Sequence, residues 1–94
     1  QRMSHCIGES YEATISGVTN WGIYVELDNT VEGLVHISTL LDDHYVFLED
    51  KMMLIGDHTK RSFELGQQVS VVLEATDEFA RTIDFRLKEF SRYE

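Results

Sequence analysis

Residues 15–38 read ISGVTNWGIYVELDNTVEGLVHIS, and the pattern of this stretch decides the fold. Two short apolar runs are separated by residues 28–32, whose Asp, Asn and Thr favour a turn. In the first run, apolar residues alternate with Tyr24 and Glu26, which predicts a strand with one buried and one solvated face. The second run begins at Gly33 and predicts the next strand. Tyr24 is therefore expected on the outer face of a sheet.

Three aromatic side chains in this stretch occupy positions that do not suit a core. Trp21 follows two turn-favouring residues, so the largest side chain lies at a bend. Tyr24 lies on the solvated face, and His36 ends the second apolar run. Unpaired bases stack on exposed aromatic rings, and each such contact contributes about 1 to 3 kcal/mol. These three residues are candidates for base stacking. The alternative is that Trp21 caps the core and Tyr24 is an isolated surface aromatic.

The segments GVTNWGIYV at residues 17–25 and EGLVHIS at residues 32–38 resemble the signature of the S1 RNA-binding domain. The resemblance extends over residues 8–88. It implies an all-β fold, a five-stranded antiparallel barrel of the OB type, which binds single-stranded RNA. It also implies that the RNA-facing aromatic positions of the family are held here by Trp21, Tyr24 and His36.

The remaining barrel strands follow from the same alternation. The first strand begins after Gly8, and Gly17 marks a point where it can bend sharply. Residues 69–74 and 82–87 predict the fourth and fifth strands.

A long insertion separates the predicted third and fourth strands, where many S1 domains have a short helical turn. Apolar runs at residues 45–48 and 52–55 predict an inserted β-hairpin, followed by a turn at residues 56–59. The order of these elements resembles the C-terminal S1 domain of ribonuclease R, a 3'-to-5' exoribonuclease of the ribonuclease II family. The resemblance implies that this domain holds RNA for an adjacent catalytic domain that uses Mg²⁺. On the simpler interpretation, the apolar side chains of the hairpin only cover one end of the barrel.

Two charged residues between the fourth and fifth strands match the family pattern. In S1 relatives an aspartate and an arginine four residues apart join the aromatic patch, and Asp77 and Arg81 occupy those positions. Arg81 can pair with a phosphate or lie flat on a base, and Asp77 can orient Arg81 or accept a hydrogen bond from RNA. Without the resemblance, Asp77 and Arg81 would be interpreted as an exposed ion pair with no function.

The charge balance opposes nucleic-acid binding, because the formal net charge is -9 and affinity for phosphates comes mainly from Lys and Arg. The positive charge is concentrated in the second half: residues 1–50 hold one basic residue, and residues 51–94 hold seven. Lys60, Arg61 and Arg86 are expected as secondary phosphate contacts. We therefore expect binding led by stacking, with modest affinity and a shallow salt dependence.

Length and composition predict one domain, since 94 residues with 43% hydrophobic content can bury a single core. Residues 1–7 are expected to be a linker or the end of a preceding domain, and residues 89–94 a frayed C-terminal tail. The chain begins with Gln, which favours a piece of a longer protein. One cysteine suits a reducing cytoplasm, and no apolar stretch is long enough to span a membrane. No dimer is required, so the piece is expected to be monomeric.

No catalytic motif is present, and the scattered histidines have no metal-ligand spacing. This piece alone is therefore expected not to be an enzyme and to need no cofactor. Two alternatives stay open. An acidic OB barrel could dock a basic protein, or the domain could belong to another S1 protein, such as polynucleotide phosphorylase or a transcription factor.

Overall fold

The computed structural model describes residues 6–93, which form β-strands joined by turns and two short 3₁₀ segments, Ile37–Thr39 and Lys88–Phe90. The strands, in chain order, are β1 (Ser10–Thr19), β2 (Gly22–Leu27), β3 (Glu32–His36), β4 (Tyr45–Leu48), β5 (Met53–Gly56), β6 (Ser62–Glu64), β7 (Gln68–Asp77) and β8 (Thr82–Leu87). Within this part of the chain no helix is long and apolar enough to cross a bilayer.

Five of the strands close into a barrel in the order β1-β2-β3-β8-β7. The predicted all-β, five-stranded OB-type barrel is confirmed, with one correction. β3 and β8 are parallel, paired at Leu34–Asp84 and Val35–Phe85, so the barrel is not antiparallel throughout. The reason is topological, since the directions of an odd number of strands cannot alternate all the way around a closed ring.

The alternation in β2 sets which side chains enter the barrel. Ile23, Val25 and Leu27 are buried, whereas Tyr24 is half-buried on the outside and Glu26 is exposed. Inward-facing side chains of the other barrel strands complete a core of apolar residues, each with 5% exposure or less. It includes Ile15, Val35, Val71, Leu73, Phe85 and Leu87. Each fully buried aliphatic or phenyl group contributes on the order of 1.5 to 3 kcal/mol to folding.

β1 bends where the sequence predicts. Its pairing register with β2 shifts between Ile15 and Gly17, which leaves Ser16 in a bulge. A bulge increases local twist, and this lets one ten-residue strand pair with β7 at its start and with β2 at its end.

The insertion is a three-stranded antiparallel sheet, not the predicted two-stranded hairpin. β4 and β5 are the expected hairpin, and β6 adds a third strand along β5. β6 has only three residues, too few for its alternation to be recognised in the sequence. Tyr45, Leu54 and Phe63 on one face of this sheet are buried in the same core as the barrel, so the insertion covers one end of it.

Asp43 holds the turn of the insertion together. Its side chain is 2% exposed, and its carboxylate accepts hydrogen bonds from the backbone N–H groups of Thr59 (2.7 Å) and His58 (2.9 Å). It also accepts from the Thr59 hydroxyl at 3.0 Å and lies 3.1 Å from Nδ1 of His58. These bonds hold the pKa of Asp43 well below its ordinary value, and the bond from the N–H of Thr59 has the largest effect.

The segment that follows β8 is packed against the domain, so the prediction of a frayed tail is wrong for residues 89–93. Glu89 forms a bidentate ion pair with Arg61, with N–O distances of 2.9 and 2.7 Å. Phe90 packs against the core, and Arg92 lies 3.3 Å from Glu74. The partners of these residues are distant in sequence, which is why the sequence did not indicate them.

The segment before β1 is described from residue 6 onward, so most of the predicted linker, residues 1–5, lies outside the described residues. Cys6 packs against the core. The N–H of Gly8 donates to the carbonyl of Leu73 at 2.8 Å, and the N–H of Leu73 donates to the carbonyl of Glu9 at 3.0 Å. Backbone pairing with β7 therefore starts ahead of β1.

Gly33 permits the closure of the barrel between β3 and β8. A Cβ at this position would lie 2.6 Å from the Phe85 ring and 2.7 Å from the backbone carbonyl of Ile83. We expect Gly33→Ala to lower the free energy of unfolding by about 1 to 3 kcal/mol, because buried backbone would have to move. Urea denaturation measures this. Gly17→Ala is the control, since its Cβ would make only ordinary contact at 3.5 Å from Tyr24. Equal stabilities of the two variants would contradict the prediction.

Asp43 predicts a pH dependence of stability. Because its pKa is lowered on folding, the ionised carboxylate contributes stability above the unfolded value of 3.8, and this is lost as the pH falls towards the folded pKa. Asp43→Asn should therefore be less stable than the parent chain at about pH 7, and the difference should shrink at about pH 2.5. Urea midpoints at both pH values test this. Asp50→Asn changes an exposed position in the same insertion, and its stability relative to the parent chain should not depend on pH in this way. If the stability difference between Asp43→Asn and the parent chain is the same at both pH values, the role given to Asp43 is wrong.

Candidate nucleic-acid interface

The turn that enters β2 presents Trp21 to solvent. The Thr19 hydroxyl accepts from the N–H groups of Trp21 and Gly22, each at 3.1 Å, and donates to the Gly22 carbonyl at 2.9 Å. Gly22 is required here because its φ is +150° and a Cβ would lie 2.2 Å from the Val35 carbonyl. The turn is thus fixed at both ends, and the indole is 52% exposed.

Trp21 and Tyr24 form an aromatic pair on one side of the barrel. Nε1 of Trp21 donates a hydrogen bond to the Tyr24 hydroxyl at 3.2 Å. The Tyr24 ring lies over Gly17 of β1, where a Cβ would already be in van der Waals contact with it. Neither ring is in the core, so the interpretation of Trp21 as a core cap does not hold.

Tyr24, His36 and Arg81 line one open groove with a volume of about 400 Å³. Strand register brings the two halves of the chain together here, because Tyr24 pairs with Leu34, and Leu34 pairs with Asp84. The remaining lining residues are Glu32, Gly33, Leu34, Thr82, Ile83 and Asp84. The groove therefore combines two rings, a guanidinium and two carboxylates.

The groove has little positive charge. Among residues 6–93, Arg81 is the only Lys or Arg that lines it, and it is accompanied by the carboxylates of Glu32 and Asp84. Nε2 of His36 lies 3.4 Å from the Asp84 carboxylate, and the Ser16 hydroxyl donates to Glu32 at 2.7 Å. Phosphate attraction is weak in such a site, so the rings offer the stronger contact to a nucleic-acid ligand.

Asp77 acts on the turn between β7 and β8. Its Oδ1 accepts the N–H of Ala80 at 3.0 Å, which closes the turn before Arg81, and Arg81 has a left-handed φ of 57°. Among the described residues no ion pair joins Asp77 to Arg81, and Asp77 does not line the groove. The structure thus makes Asp77 a residue that positions the arginine through the backbone.

The predicted secondary phosphate contacts are engaged by groups of the protein. Nζ of Lys60 donates to the Asp57 carbonyl at 2.8 Å, and Nε of Arg86 lies 3.4 Å from Glu74. Arg61 is bound by two carboxylates, those of Glu89 and Asp42, and the bond to Glu89 raises its pKa. The structure argues against Arg61 as a phosphate contact, because its charge is already neutralised. None of the three lines the groove.

Two residues of the groove, Leu34 and Asp84, are not among the candidates that the sequence indicated. In β3 the side chain of Val35 is buried, whereas Leu34 is half-buried and faces the groove. Asp84 is an outward position of β8, and it lies 3.4 Å from Nε2 of His36. The pairing of Tyr24 with Leu34, and of Leu34 with Asp84, is the signal that would have indicated these two residues, since outward positions of neighbouring strands lie side by side. Within residues 6–93 no group of three or more His, Cys, Asp or Glu side chains is arranged to hold a metal ion.

Comparison with known proteins gives consistent matches. The family model described as the S1 RNA binding domain matches residues 4–88. Ribonuclease R of Aquifex aeolicus is 46% identical over 84 residues, and ribonuclease R 1 of Lactococcus lactis is 41% identical over 83 residues. Each alignment covers 88% of this chain, and 12% and 10% of the two relatives.

Among solved structures, Mycoplasma genitalium ribonuclease R in complex with ribose methylated single-stranded RNA is similar, with a TM-score of 0.86 and 30% identity. The similarity covers 90% of this chain and 13% of that one. The chain thus spans about a tenth of the length of the relatives that it matches. Because the S1 model matches residues 4–88, which include every strand of the barrel and of the insertion, the chain belongs to the S1 RNA-binding domain family.

Proposed function

We propose that this domain binds single-stranded RNA by stacking bases on Trp21, Tyr24 and His36, with Arg81 as the main phosphate or base-stacking cation. The proposal depends on one observation. Trp21 and Tyr24 form a hydrogen-bonded pair on the outside of the barrel, and Tyr24 also lines a groove together with His36 and Arg81. The complex of the Mycoplasma relative with single-stranded RNA supports the same ligand class.

The matches to ribonuclease R suggest the protein in which this domain works. We propose that it is the C-terminal S1 domain of a ribonuclease R, where it holds RNA while an adjacent domain degrades it from the 3' end. The hydrolase activity and its Mg²⁺ belong to that other domain, in the cytoplasm. The S1 domain itself contributes binding only and acts as a monomer. Tethering makes even modest affinity useful, because it raises the effective concentration of the RNA at the catalytic domain.

One observation favours a second candidate function. The net charge of -9 and the two carboxylates in the groove suit a basic protein better than a polyanion. In this alternative the barrel is a docking module for a basic partner. Binding of RNA at the aromatic pair distinguishes the two functions.

Trp21 is the only tryptophan of the chain, so its fluorescence reports on the proposed site. Titration with a short unstructured oligoribonucleotide at low salt should quench the emission. Tyr24→Ala should weaken the affinity by about fivefold to a hundredfold, which corresponds to the loss of one stacked base. Tyr24→Phe keeps the ring and should bind nearly as well. Unchanged emission together with an unchanged affinity of Tyr24→Ala would favour the docking module.

Arg81 and Arg61 form a matched pair of cations, one in the groove and one neutralised by Glu89 and Asp42. Arg81→Ala should weaken RNA binding and reduce the slope of log K against log salt by about 0.7, the value for one phosphate contact with a single strand. Arg61→Ala should leave that slope unchanged and lower thermal stability, because it leaves two carboxylates unpaired. Fluorescence anisotropy at several salt concentrations measures both slopes. If Arg61→Ala reduced the slope and Arg81→Ala did not, the RNA would bind outside the groove.

A further inference from the structure

Phe79 is the most exposed large apolar side chain in the described part of the chain, at 103% of the reference exposure. It lies in the turn that joins β7 to β8, where small polar residues and glycine are usual. The ring packs on nothing in the core, so it contributes no burial to the fold. A phenyl ring kept in water on a tight turn is available for a ligand.

The turn presents this ring in a defined position. Asp77 and Thr82 are the last paired residues of the hairpin, and the bond from the N–H of Ala80 to Asp77 closes the turn between them. Arg81 completes it in the left-handed region, with φ of 57°. Phe79 therefore extends from a short, hydrogen-bonded turn.

Strand register places Phe79 at the end of the groove opposite Trp21. At the far end of β3, His36 pairs with Gly22, and the N–H of Ile37 bonds to the Trp21 carbonyl. β3 and β8 run parallel, so the start of β8 lies beside the start of β3. At this end the groove is lined by Arg81 and Thr82. The Cα of Phe79 is two residues from that of Arg81, at most about 7 Å away.

We propose that Phe79 stacks on a further base of the RNA that occupies the groove, so that the site extends past Arg81 by one nucleotide. This inference rests on the proposed function. A single ring is far smaller than the roughly 1,200 Å² that stable protein interfaces bury, whereas it matches the face of one base. Phe79 lies two residues before Arg81, which lines the groove. The acidic Asp77 and Glu78 beside it disfavour a phosphate contact, so stacking on the ring is the contact expected there.

The test uses the 94-residue chain and labelled oligoadenylates of about four to about ten nucleotides, with affinity measured by fluorescence anisotropy. For the longest RNA, Phe79→Ala should bind about fivefold more weakly, the low end for loss of one stacked base. For the shortest RNA that still binds, the affinity should be unchanged, because that RNA does not reach the turn. Phe79→Trp should bind the long RNA at least as well as the parent chain, and Phe79→Leu should resemble Phe79→Ala.

Matched controls keep the outcomes distinct. Leu65→Ala removes another exposed apolar side chain, in the insertion, and should not change the affinity at any length. If Tyr24→Ala weakens binding but Phe79→Ala has no effect at any length, the extension is wrong and the proposed function stands. A loss that is equal at all lengths, or a Phe79→Leu variant that binds like the parent chain, also overturns it. If the parent chain itself does not bind RNA, the proposed function is wrong.

Discussion

The parallel contact between β3 and β8 is the constraint on which the rest of this structure depends. Five strands cannot close with alternating directions, so two parallel strands must meet, and here they meet over Gly33. The lack of a side chain at that position lets the Phe85 ring and the backbone of β8 approach β3 closely. This contact also builds the groove. It brings Tyr24 and His36, from the first half of the chain, beside Arg81 from the second half.

The electrostatics of the domain explain why its candidate site is built from rings. The chain carries a net charge of -9, and several of its cations are held by its own carboxylates or carbonyls. Arg61 illustrates this, since it joins the insertion to the C-terminal segment through Glu89 and so stabilises the fold. Arg81 is left in the groove, opposed by Glu32 and Asp84. Long-range attraction of phosphates is weak under these conditions, so the proposed binding of RNA depends on stacking of bases on the rings.

The insertion has a structural role that its composition alone leaves ambiguous. Tyr45, Leu54 and Phe63 turn inward and extend the barrel core, which supports the interpretation that the insertion covers one end of the barrel. Its turn depends on Asp43, a carboxylate removed from solvent and bonded to two backbone N–H groups. A charged group in such surroundings is stable only while these bonds persist, so Asp43 fixes the turn at residues 58–59 within the insertion.

The sequence by itself determined the all-β class, the bounds of β8 and the outward direction of Tyr24, because alternation with a period of two is a local property. It also indicated the S1 family from two short motifs. Only the tertiary structure decided what depends on distant parts of the chain: the parallel closure, the third strand of the insertion, and the pairing of Arg61 with Glu89. The exposed ring of Phe79 belongs to this second group. Whether an apolar side chain is buried is decided by what packs on it, and no local pattern contains that information.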